Sequence, residues 1–143
     1  GDINIDVDAG NVMNASIRSD KKIQFIVEDL MLTSENVQRI PVYASEVIGF
    51  EGMQAAFNVD EDYLRIENLE AGQLNVNAEN YAIKDNQCMV SLSGQSNVAI
   101  DPLQPLFYII VKAKQNARFM DHIRLNEDLL KAEWYDSVLN IYG

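Results

Sequence analysis

Cysteine, histidine and tryptophan each occur once in the 143 residues, as Cys88, His122 and Trp134. A single cysteine excludes an internal disulfide and a zinc site built from thiolates. A single histidine excludes His-rich metal sites and paired-histidine catalysis. Positive charge is also scarce, with 11 Lys and Arg against 22 Asp and Glu and a net charge of −11. A phosphate backbone is bound by a basic footprint, so nucleic acid is a poor partner, and an anionic membrane surface is poor for the same reason. No apolar run approaches the ~20 residues that a membrane-crossing helix needs. Aromatic residues make up only 8%, too few for the row of exposed rings that sugar-binding surfaces usually carry. No phosphate-binding loop and no G-x-S-x-G nucleophile elbow occurs.

What is present is alternation. The first twenty residues lack sustained periodicity and are rich in Asp, Asn and Ser, so residues 1–20 read as an extended acidic arm or linker. Within it Asp2, Asn4, Asp6 and Asp8 place side-chain oxygens at every second position, which begins like a calcium-binding loop. The pattern then departs, with Val7 where that loop needs glycine and Met13 where it needs glutamate. A solvated linker is the main reading, with a weak calcium site at these four residues as the alternative.

From Lys21 onward apolar residues recur with period two. Ile23, Phe25 and Val27 alternate with Gln24, Ile26 and Glu28, and the same habit runs through residues 38–44, 53–59, 63–69, 88–92 and 106–114. Leu74 and Val76 read as the start of a short strand. Pro41 has no N–H to give a neighbour, so its strand is expected at an edge or at a bulge. Only residues 126–131 look helical, and they are too few to stand as a helix. Short strands at this spacing, without a long helix, predict an all-β fold for residues 21–143: a two-sheet antiparallel β-sandwich of about nine strands.

Three stretches resemble cohesin-type modules. They are Ile40-Pro41-Val42, then Gly52 to Asp60 with Tyr63-Leu64 and Ala71-Gly72, then Pro105 to Lys114 followed by Ala132-Glu133-Trp134-Tyr135-Asp136. The resemblance implies a jelly-roll-like topology, no catalysis, and a secreted or cell-surface bacterial setting. It also implies a protein partner such as a dockerin, a small calcium-loaded helical module bound across one flat sheet face. Trp134 departs from it, standing where the family usually has a small residue. The start Gly1-Asp2-Ile3-Asn4 resembles the tail of a dockerin-like calcium repeat, which would make the chain a piece of a longer exported protein.

Several chemistries compete with docking. Cys88 could act as a nucleophile with His122, but it lies in an alternating run, where a small buried cysteine is the commoner occupant. Ser91 and Ser93 form no triad with His122 that their order alone would support. Asp60, Glu61, Asp62, Glu127, Asp128, Glu133 and Asp136 stand at turns and strand ends, where acids serve turn formation and solubility. The chain therefore reads as a non-enzyme. Tyr43, Gln54, Ala56, Tyr108 and Ile110 fall on outward positions of their strands and are the candidate partner-binding residues. Coverage of that face by a loop, the arm or a second copy is the competing account. Tyr81 and Tyr135 are candidates for stacking on a polysaccharide, the alternative partner, while Trp134 reads as core. An accessory domain of a secreted hydrolase is a further alternative.

Overall fold

A computed structural model describes residues 11–16, 22–45, 49–93, 98–135 and 141–142. Its main strands in chain order are β1 (Asn11–Ser16), β2 (Lys22–Val27), β3 (Val37–Ala44), β4 (Gly52–Val59), β5 (Leu64–Ala71) and β6 (Tyr81–Lys84). They continue with β7 (Gln87–Leu92), β8 (Phe107–Ala113), β9 (Ile123–Leu125), β10 (Glu133–Tyr135) and β11 (Ile141–Tyr142). One sheet runs in the order β1-β2-β3-β8-β5, and the other in the order β11-β10-β4-β7-β6. Strand β9 joins the second sheet on the same side of β4 as β10. All these pairings are antiparallel, as a sandwich of two open sheets requires.

Period two builds the core directly. Ile40, Val42 and Ala44 of β3, with Phe107, Ile109 and Val111 of β8, face Met53, Ala55, Phe57, Cys88 and Val90 of the second sheet in one buried cluster. Trp134 is 0% exposed, edge-on to Phe50 with ring centroids 4.9 Å apart and tilted toward Phe25 at 6.5 Å. The large ring thus fills the sandwich from its end, as the sequence suggests. Among the described residues the only helical segments are one-turn 3-10 segments at Ala78–Asn80 and Phe119–His122.

Three local expectations need amendment. Pro41 lies on an inner strand: β3 sits between β2 and β8. The Val42 carbonyl accepts from the Leu106 N–H at 2.7 Å, so Val42 faces β8 and the Pro41 nitrogen faces the other way. On that side β2 has already ended, with Val27 opposite Val42, and the missing donor costs nothing. Leu74 and Val76 are buried but belong to no strand. They plug the core from a connection whose Gln73 and Leu74 N–H groups bond the Pro105 and Leu106 carbonyls. Residues 126–131, expected to be too few for a helix, do form only a single turn, with the Asn126 side chain accepting from the Leu129 N–H at 3.1 Å. Asn11–Ser16, inside the stretch expected to be an arm, pairs with Lys22–Val27 as the edge strand of the first sheet.

Candidate docking face

The five candidate docking residues divide between the two outer faces of the sandwich. Tyr43, Tyr108 and Ile110 lie outside the first sheet, while Gln54 and Ala56 lie outside the second. The reason is parity within each strand. Ile40 and Val42 point into the core, which sends Arg39, Pro41 and Tyr43 outward. Met53, Ala55 and Phe57 point inward, which sends Gln54, Ala56 and Asn58 outward on the opposite side.

The first sheet's outer face satisfies itself. The Arg39 guanidinium lies over the Tyr108 ring at 4.0 Å and pairs with Glu70 at 3.6 Å. Lys112 pairs with Glu35 at 3.4 Å, and Arg65 with Glu67 at 2.6 Å. Ile110 lies outside the core cluster yet is only 8% exposed. Burial, the Glu28 charge and then Tyr108 raise the Tyr43 hydroxyl pKa. With a guanidinium over its face, Tyr108 offers no open ring for a sugar.

The second sheet presents a different surface. Its register sets outward residues in rows: Ala82, Met89 and Ala56; Lys84, Gln87, Asn58 and Arg124; Ser91, Gln54 and Glu133. Charges stand only at the ends of these rows. The middle is short, flat and uncharged, and Met89 rises from it at 39% exposure between two alanines. Ala56 is 1% exposed, and the Gln87 and Ser91 side chains have no hydrogen-bond partner among the described residues. Charge is thus excluded from the centre of the face and kept at its rim, the distribution that protein interfaces share.

One side of this face is braced by the connection between β9 and β10. Gln54 Nε2 donates to the Lys131 carbonyl at 3.0 Å and to Glu133 Oε1 at 3.2 Å. Asn126 Nδ2 donates to Asn58 Oδ1 at 3.1 Å. The Tyr135 hydroxyl donates to the same Glu133 oxygen as Gln54. That bond, with burial and the carboxylate charge, pushes the Tyr135 pKa up to about 12. Tyr135 lies beside Gly52, where a Cβ would come within 3.5 Å of its ring and 2.8 Å of the Leu92 carbonyl oxygen. Tyr81 is turned the other way and packs against the core. The two proposed sugar-stacking rings therefore share neither a face nor a row.

The remaining candidates are placed as follows. Cys88 is 0% exposed, and burial pushes its thiol up to about 12, so it is no nucleophile at neutral pH. His122 Nδ1 sits 3.3 Å from Asp60 Oδ2, and its ring stacks on Tyr63 with centroids 3.9 Å apart. Asp60, Glu61, Asp62 and Asp121 line a polar cleft with His122 and Arg124, while Glu127 and Asp128 line a second cleft on the other side of Arg124. Among the described residues, no three His, Cys, Asp or Glu side chains group so as to hold a metal ion. Asp2, Asn4, Asp6, Asp8 and Asp136 lie outside the described residues. Sequence reasoning did not single out Met89, although its place next to inward Cys88 already sends it outward.

No family model and no curated protein matches the chain. Solved structures do. A type I cohesin–dockerin complex from Clostridium thermocellum includes a chain that superposes with a TM-score of 0.60 at 14% identity, over 85% of this chain and 91% of that one. The sixth cohesin of scaffoldin B from Acetivibrio cellulolyticus, in complex with a Cel5 dockerin variant, gives 0.56 at 12% identity over 92% and 89%. A non-cellulosomal cohesin from the archaeon Archaeoglobus fulgidus gives 0.55 at 17% identity over 78% and 75%. Five strands packed against six, superposing on these structures with TM-scores of 0.55 to 0.60, give this chain the fold of a cohesin-type β-sandwich module.

Proposed function

We propose that the chain is a non-catalytic protein-docking module, and that its partner is a dockerin-type module seated on the outer face of the second sheet. The observation that carries this reading is the placement of charge. The three rows described on the second sheet are uncharged in the middle, whereas the first sheet carries three ion pairs among its described residues. A face whose charges already have partners gains little from a new one. A flat uncharged centre gains when it is covered. Cohesins of this fold are described in complexes with dockerins, which supports the same class of partner here.

A secreted or cell-surface setting belongs to this proposal. No helix among the described residues is long and apolar enough to cross a membrane. The test is titration calorimetry against a panel of calcium-loaded dockerin modules, repeated with chelator. Met89→Glu and Ala82→Arg place a charge in the uncharged centre and should each weaken binding by about tenfold or more. Arg39→Ala on the opposite face should change it by less than about twofold. Equal losses from both faces, or no binding to any module, would remove the proposal.

A further inference from the structure

Two sulfur atoms adjacent in sequence occupy opposite environments. The Cys88 side chain is sealed in the core, while Met89 stands 39% exposed as a residue in the middle of the second sheet's outer face. Its cross-strand neighbours are Ala56 and Ala82, whose methyl groups are too short to shield it. Met53 and Met120 are buried. Met31 is 70% exposed, but it lies in a two-residue pairing with Ala117–Arg118, outside the second sheet.

We propose that Met89 is an oxidation site that switches docking off: a hydroperoxide converts its thioether to the sulfoxide, and the face then loses its partner. This inference rests on the docking reading above. In the step the peroxide O–O bond breaks and an S–O bond forms. Sulfur is oxidised by two electrons, and the peroxide is reduced to water or the corresponding alcohol. The product replaces a soft apolar group with a strongly polar S=O at the centre of the face. Its cross-strand neighbours, Ala56 and Ala82, offer no side-chain donor to that oxygen; the nearest donors on the face, Gln87 and Ser91, stand two residues away along the strand. Covering it would bury a polar oxygen against a partner surface that fits a thioether. Reduction by a methionine sulfoxide reductase restores the thioether, so the change is reversible.

The core protects the other route. Cys88 stays a buried thiol, so among the sulfur side chains whose burial is described, mild peroxide reaches Met89 and Met31 first. Met31 then serves as an internal control that oxidises without touching the face.

The experiment treats the folded chain with hydrogen peroxide, follows each methionine by peptide mass mapping, and measures affinity for the dockerin panel by calorimetry. Met89 and Met31 should each gain one oxygen, with Met53 and Met120 unchanged until denaturant is added. Binding should fall by about tenfold to a hundredfold in the native chain and in Met31→Leu. It should be unaffected by peroxide in Met89→Leu, and sulfoxide reductase should restore it. Failure of Met89 to oxidise while Met31 does, or an equal loss in Met89→Leu, overturns the switch. Binding that is unchanged when Met89 is fully oxidised overturns the switch alone and leaves docking standing. An untreated chain that binds no module of the panel overturns the docking reading and the switch with it.

Discussion

Trp134 and Gly72 show, by a side chain and by the lack of one, how tightly the sandwich is packed. Trp134 lies sealed between Phe50 and Phe25, and truncating a buried aromatic leaves a cavity that the surrounding sheets fill only in part. Trp134→Ala should cost about 3–5 kcal/mol, read by urea denaturation with far-UV dichroism because the only tryptophan is gone. A loss under about 1 kcal/mol would mean that the sheets close over the space. At Gly72 a Cβ would sit 2.5 Å from the Pro105 carbonyl oxygen and 2.8 Å from Leu106 backbone atoms. Backbone cannot swing aside as a side chain can, so Gly72→Ala should destabilise by about 1–3 kcal/mol. The sequence marks both positions, Trp134 as core and Gly72 as a strand end. It does not convey that Gly72 is required by the approach of a segment thirty residues away.

Strands were legible because alternation leaves its mark locally, whereas which face belongs to which sheet is a property of pairing. Tyr43 and Gln54 both sit at outward positions, and only the register reveals that they are on opposite sides of the molecule. Leu74 and Val76 misled for a related reason: two buried aliphatics with a polar residue between them read as a strand whether or not a neighbour pairs with them. Pro41 misled because an edge can be local, created where a neighbouring strand stops. The turn at residues 126–130 is the element that ties the border of the second sheet's outer face together. Its Asn126 caps Leu129 and also bonds Asn58 on β4. Asn126→Ala should cost about 1 kcal/mol, and hydrogen exchange should speed at the Leu129 and Leu130 amides while β8 amides stay protected. Uniform acceleration across both sheets would argue that the turn matters globally rather than locally.

For the molecule as a whole, alkaline pH is the sensitive side. An unfolded Cys88 thiol ionises around its ordinary value of 9.0, while the folded one keeps its proton up to about 12. Tyr135 behaves alike, with an ordinary value of 10.0 and a folded value of about 12. The unfolded chain therefore releases protons first, and stability falls as pH rises through this window. The urea midpoint should drop from about pH 8 to about pH 10.5 in the native chain, and in Cys88→Ala the drop should begin about one unit higher. Identical profiles would mean that the thiol is not shielded. The same strand sets a further condition on the assembled molecule. Because neighbours along β7 project to opposite sides, slippage of β7 by one residue would carry the thioether inside and bring the sole thiol to the surface. Two such molecules could cross-link through sulfur, and correctly registered ones could not. A covalent dimer on a non-reducing gel is therefore a fingerprint of misaligned chains, and its absence is a quick assay that β7 has found its place.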